Sequence, residues 1–163
     1  MPMDPNGPTC SCGARGCWES LASDKALRRR FADLGGEASA PGGEGTEATG
    51  IIDAAIRGNP TALGALTETA KHLGMGILGL VHGLSPQAII LGGNVVRAWN
   101  IVEPIIREVV RSRLHIPGLA AVEITPSSVP NPPSLLGAVA VAISNILEQE
   151  IAVSDILAYA STA

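Results

Sequence analysis

Cys10, Cys12 and Cys17 stand within eight consecutive residues, and the 163-residue chain has no other cysteine. A C-x-C pair followed by a third cysteine after four intervening residues can place three sulfurs around one ion. The glycines at 13 and 16 let the backbone turn tightly between the ligands. A structural zinc site normally takes four ligands, and this run supplies three. Without a metal the same residues would be three unpaired core thiols. A cysteine nucleophile is the weaker alternative, because its activation needs a neighbouring base and no histidine lies nearby in the sequence. An odd, closely spaced set fits a reducing compartment, with the thiols as metal ligands rather than disulfide partners. Glu19 follows two residues after the last thiol.

Composition limits the alternatives. Hydrophobic residues make up 46% of the chain and charged residues 16%, enough for an aliphatic, alanine-rich core with few aromatic side chains. A net charge of -4 argues against a general nucleic-acid surface, which needs clustered lysine and arginine. The single basic run, Arg28-Arg29-Arg30, reads as a solvated helix face. The amino end shows no charged-then-apolar leader, and no stretch reaches the roughly 18 to 20 apolar residues that cross a bilayer. The expected location is the cytoplasm.

Several elements must position the thiols. After the cysteine run the sequence predicts a helix over Trp18 to Ala22. A second follows, capped by Ser23 or Asp24 and ending near Leu34 before Gly35-Gly36. Residues 35 to 50 contain no large apolar side chain and read as a flexible surface loop. A short helix is expected over Ile51 to Arg57. Asn59 then caps, and Pro60 opens, a long helix to about Gly83. Leu63, Leu66, Ala70, Leu73, Ile77, Leu80 and Val81 mark its buried stripe. Its four glycines at 64, 74, 76 and 79 cost helix propensity and suggest close approach of a neighbouring backbone. "AIILGG" at 88 to 93 reads as a strand buried on both faces. A helix over 96 to 113, which Pro104 either kinks or opens as its true first turn, a strand at 121 to 127 and a helix over Ser134 to Glu150 complete an α/β layer. Two strands are few for so much helix. The organisation is thus a knuckle with its following helices at 1–34, the loop at 35–50, an α/β lobe at 51–150 and a tail at 151–163.

"DPNGPTCSCGARGCWESLAS" resembles the zinc-knuckle signature C-x-C-G-x-x-G-C-x-E of the ROK family, bacterial sugar kinases and sugar-responsive transcription repressors. "SPQAIILGGNV" resembles that family's strand and diglycine segment beside the nucleotide site. "SLLGAVAVA" resembles its carboxyl-terminal Gly-Ala helix. The resemblance runs from Asp4 to Glu150. It implies a helix-rich, partial ribonuclease-H-like lobe of the actin-like ATPase superfamily, with a zinc knuckle and without its first strands.

Residue by residue, the resemblance makes Cys10, Cys12 and Cys17 zinc ligands. It makes Glu19 the carboxylate that accepts hydrogen bonds from sugar hydroxyls, set against the plainer reading of an exposed surface acid. Gly92 and Gly93 become the place where a backbone without side chains meets the nucleotide. The family's fourth zinc ligand is a histidine that would fall just before Met1, with Asp4 or water as the substitute. The first phosphate loop, the aspartate base and the Glu-x-Gly-His of the sugar site would also lie upstream. The expectation is therefore a carboxyl-terminal fragment of a glucokinase-like sugar kinase, inactive by itself. The alternative is the sugar-binding part of a repressor, with DNA a partner only through a missing upstream domain. Zinc is the expected structural cofactor, ATP and magnesium belong to the intact relative, and the expected partner is a hexose. ROK proteins often form homo-oligomers, which makes the helix at 60 to 83 a candidate subunit contact.

Overall fold

A computed structural model describes residues 1–36, 47–114, 122–128, 138–141 and 143–144. Most of the loop expected at 35–50, most of the helix expected at 134–150 and the tail at 151–163 lie outside the described residues. Met1–Ser127 form one compact unit and Ser128–Ala163 a second, in which residues 138–141 and 143–144 are helical.

The first unit opens with the cysteine run and α1 (Trp18–Ala22), followed at once by α2 (Asp24–Asp33). Ser23 turns the chain between them, and its hydroxyl accepts the Ala26 N–H at 3.4 Å, an ordinary N-cap. α1 is too short to hold itself together, since one helical turn is a costly nucleus. Two arginines of α2 bind its carbonyls instead. Arg29 donates to Ser20 O at 2.9 Å and Arg30 to Leu21 O at 2.6 Å. The basic run is therefore a solvated face only at Arg28, while Arg29 and Arg30 are half-buried. Burial, then the neighbouring Arg29, pulls the pKa of Arg30 below the usual arginine value.

α3 (Ala48–Ile56) starts three residues ahead of the expected Ile51. Its buried residues Ala48, Ile51, Ile52 and Ala55 follow a helical period that begins at the alanine. α4 (Pro60–Leu84) has the predicted start, with the Asn59 side chain accepting the Ala62 N–H at 2.9 Å and Pro60 in the first turn. It stops where Ser85 takes a left-handed conformation, φ +45°. Every other helix of the unit packs on α4. Leu66, Ala70, Ile77 and Val81 of the expected stripe are buried, Leu73 and Leu80 are half-buried, and Leu63 faces out.

β1 (Ala88–Leu91) leads through Gly92-Gly93 and a 3-10 turn at Asn94–Ala98 into α5 (Trp99–Arg113). The helix continues through Pro104 in its second turn, so the proline does not mark its start. β2 (Glu123–Pro126) then pairs parallel to β1, from Ala88 opposite Glu123 to Leu91 opposite Pro126. Parallel neighbours need such a crossover, and α5 provides it. The expectation of a strand buried on both faces is not met. Leu91 is buried and Ile89 packs on the core, whereas Ile90 is 70% exposed. Side chains alternate across a strand, so Ile89 and Leu91 face the core of the first unit while Ile90 points the other way.

The core lies where α4 meets α3 and α5, with Ile51, Ile52, Leu66, Ile77, Val102 and Ile106 fully buried. Gly74 sets the approach of α5, since a methyl there would stand 2.8 Å from Val109 Cβ and 3.3 Å from Ile106 Cα. Of the helix glycines, this one does meet a neighbouring backbone. Ile106→Ala is expected to lower the unfolding free energy by about 2–5 kcal/mol through the cavity it leaves. Ile90→Thr, at the open face, should change it by less than about 0.5 kcal/mol. Chemical denaturation followed by circular dichroism measures both.

Candidate metal centre and adjoining cleft

The amino-terminal segment doubles back on itself before α1. Pro2 bridges Cys17 and Thr9 bridges Arg15, each in antiparallel sense. The Met3 and Asp4 N–H groups both donate to Gly16 O, at 2.8 and 3.2 Å, and Gly16 N–H returns to Pro8 O at 2.8 Å. The two passes touch at their backbones. Gly16 sits at φ +56°, and a methyl there would fall inside the Asp4 carbonyl. A methyl on Gly7 would stand 2.6 Å from Gly16 Cα. Between the passes, Cys10 N–H donates to Ala14 O and Gly13 N–H to Cys10 O, closing a tight turn with Gly13 at φ +87°.

This crossing brings the three sulfurs to within 4.8 Å of one another, with Cys12 and Cys17 3.5 Å apart. Sulfurs around one tetrahedral zinc at about 2.3 Å would stand roughly 3.8 Å apart, so the donor set fits such an ion in type and spacing. Cys12 is exposed, Cys10 half-buried and Cys17 buried. Asp4 does not join the cluster. Its carboxylate accepts the Asn6 N–H at 2.9 Å instead. Among the described residues no fourth histidine, cysteine or carboxylate completes the set.

The thiols are electrically unequal. Hydrogen bonds from the Cys12 backbone and side chain draw the Cys10 pKa down from 9.0 to about 7. The Cys12 side chain and then burial push Cys17 up to about 11. The first proton therefore leaves Cys10, and negative charge there holds the proton on Cys17. A cation between the sulfurs would relieve that opposition, because the thiolate is the metal-binding form.

Glu19 is the second residue of α1 and is exposed. Its carboxylate has no hydrogen-bond or ion-pair partner among the described residues. It faces a cleft of about 120 Å³ shared with Cys10, Ser11, Ser23, Lys25 and Arg29. Sequence reasoning missed the cleft's two cations. Their signal was the four-residue spacing that puts Lys25 and Arg29 on one face of α2.

Gly92 and Gly93 follow the carboxyl end of β1, with Gly92 exposed and Gly93 at φ +90°. In open α/β sheets ligands bind beyond this end of the strands. The next residue ties the turn to the α1–α2 corner, Asn94 Nδ2 donating to Asp24 Oδ2 at 2.7 Å. The structure thus clusters the three thiols, sets Glu19 on a cleft that Cys10 also lines, and links the diglycine turn to the α1–α2 corner through the Asn94–Asp24 hydrogen bond. A wider groove of about 660 Å³ lies apart from these residues, between α4 and α5. No helix among the described residues is long and apolar enough to cross a membrane.

Residues 1–145 match the family model described as "ROK family". Over 148 residues the chain is 34% identical to a xylose repressor of Bacillus spizizenii, covering 91% of this chain and 36% of the repressor. A solved ROK family transcriptional regulator, a homologue of the Escherichia coli MLC protein, superposes with a TM-score of 0.69 at 27% identity. That match covers 81% of this chain and 34% of the regulator. A ROK family glucokinase from Streptomyces griseus, solved with glucose and AMPPNP, superposes with a TM-score of 0.64 at 28% identity, over 77% of this chain and 43% of the enzyme. The chain spans between a third and a half of the length of these proteins.

The thiol asymmetry has a direct readout. In metal-free protein at pH 8, iodoacetamide is expected to alkylate Cys10 well ahead of Cys17, with the Cys10 rate rising through pH 7 as the thiolate forms. Peptide mass spectrometry after timed quenching gives the order, and Cys17 reacting first would contradict it.

Proposed function

The chain belongs to the ROK family, and on that premise we propose that it is the sugar-binding, metal-stapled part of a ROK sugar kinase. The observation that supports this reading is Glu19, an exposed carboxylate without a partner among the described residues, two residues from a buried thiol of the cysteine cluster. A carboxylate offers only acceptors, and its charge-assisted hydrogen bonds to hydroxyls are stronger than neutral ones. A sugar presents such donors in a fixed array. The ligand class is a gluco-configured hexose.

Cys10, Cys12 and Cys17 are the residues that would hold zinc. When bound, a structural zinc contributes folding free energy by cross-linking its ligands. Here it would tie the two passes of the knuckle and so set the start of α1, where Glu19 projects. Gly92 and Gly93 leave the backbone after β1 open for a nucleotide in the intact kinase. Nucleotide binding alone does not activate a hydroxyl. In-line transfer of a γ-phosphoryl group needs a positioned base and metal-bound phosphates. Among the described residues lining the cleft, Glu19 is the one carboxylate and is already assigned to the sugar, so the 163-residue chain by itself is read as inactive in phosphoryl transfer.

The repressor relative, 34% identical, favours a second reading, in which the same Glu19 reports sugar occupancy to a DNA-binding segment. The two readings differ at the diglycine turn, because only the kinase lineage needs a nucleotide there.

Purified chain is expected to carry one zinc per molecule by elemental analysis and to lose it in Cys12→Ser. Glu19→Gln should weaken glucose binding at least tenfold, about 1.4 kcal/mol, in isothermal titration. Unchanged glucose affinity in that variant would remove the carboxylate from the site. An ATP-coupled assay should show no hexose phosphorylation above background, and MgAMPPNP binding then separates the kinase reading from the repressor one.

A further inference from the structure

Trp18 lies between the last thiol and Glu19, and its indole is seated in a helix. The indole N–H donates to His72 O of α4 at 2.9 Å. The ring occupies the space beside Gly76, where any added methyl would overlap it. Gly76 is the only residue type that leaves that notch, and it does so in mid-helix, where glycine is otherwise unfavourable. The same row of α4 carries further contacts to the knuckle and its helices. Arg30 donates to Thr69 Oγ1 at 2.9 Å, and a methyl on Gly79 would meet the Met1 side chain at 3.4 Å. Thr69, His72, Gly76 and Gly79 recur at three and four residues and form one face.

Successive residues of a helix point about 100° apart. Fixing Trp18 into α4 therefore fixes the direction of Glu19, and through the bond from the Trp18 backbone N–H to Met1 O at 2.9 Å it also holds the amino-terminal pass against the one that carries Cys17. We propose that Trp18 and Gly76 form an indole-in-notch lock that positions both the metal-binding thiols and Glu19. Gly76 is a positioning residue without an atom in the cleft. The proposal rests on the reading of the three thiols as metal ligands, and its test separates the two.

The test uses the full chain carrying Trp99→Phe, so that Trp18 is the sole indole. Cobalt(II) is titrated and followed by its thiolate charge-transfer absorption. Gly76→Ala should weaken cobalt binding at least tenfold and shift Trp18 emission to the red, although helix propensity alone favours alanine. With Trp18→Leu already in place, the same Gly76→Ala should change cobalt affinity less than twofold, because no ring fills the notch. An equal loss in both backgrounds, or an affinity unchanged by Gly76→Ala beside Trp18, overturns the lock.

If the parent chain gives no cobalt spectrum, the metal reading has failed separately. The lock is then judged in metal-free protein by iodoacetamide labelling of Cys17. At least tenfold faster labelling in Gly76→Ala beside Trp18, and not in the Trp18→Leu background, sustains it. Equal labelling in both overturns it.

Discussion

Two backbone passes cross between Asp4 and Gly16 at a distance that no side chain could share. A peptide carbonyl can stand so close to an α-carbon only when that residue lacks Cβ, and Gly7 clears the other side of the same crossing. Everything chemical in the first unit follows from this approach. It closes the hydrogen bonds from Met3 and Asp4 to Gly16 O, it folds Cys10 and Cys12 back over Cys17, and it delivers the chain to the first turn of α1. A substituted Gly16 would open the crossing, and the sulfurs would separate without any change to the thiols themselves.

The crossing supplies a local shape, and α4 gives that shape a frame. A five-residue helix cannot persist alone, so α1 depends on neighbours at both ends. Trp18 enters α4 at one end, while Arg29 and Arg30 hold the carbonyls at the other. α4 also buries the faces of α3 and α5, and α5 leads from the diglycine turn to the second strand. The cysteine cluster, the cleft and the strand ends therefore share one 25-residue support.

Caps and knuckle were legible from residue types because their causes are local. Asn59-Pro60 announces a helix start, Ser23 separates α1 from α2, and three cysteines with two glycines announce a thiol cluster. What stayed hidden depends on partners distant in sequence. Ala48 begins α3 because it is buried against the core, which an alanine between Glu47 and Thr49 does not advertise. Ile90 looks like a core residue in the sequence, yet it lies opposite Ile89 and Leu91 across the strand and is exposed. Of the α4 glycines expected to meet a backbone, Gly74 does, Gly76 meets a tryptophan ring instead, and Gly64 and Gly79 have only ordinary side-chain contacts. Arg29 and Arg30 read as solvated charge because nothing in a basic run reveals the carbonyls it will cap.

The arrangement also divides its chemistry between sulfur and oxygen. Thiolates are soft, polarisable donors suited to zinc, whereas a carboxylate serves harder cations or hydroxyl donors. Only thiols enter the cluster. Glu19, two residues on, stays outside it and faces the cleft. Were Glu19 to fill a coordination position, it would lose acceptor oxygens that the proposed sugar site needs. Placed outside the cysteine group, Glu19 keeps those oxygens free of the cluster, and Lys25 and Arg29 line the same cleft with it. On the proposed reading the metal set is purely structural, and recognition falls to an oxygen whose position the sulfurs help to determine.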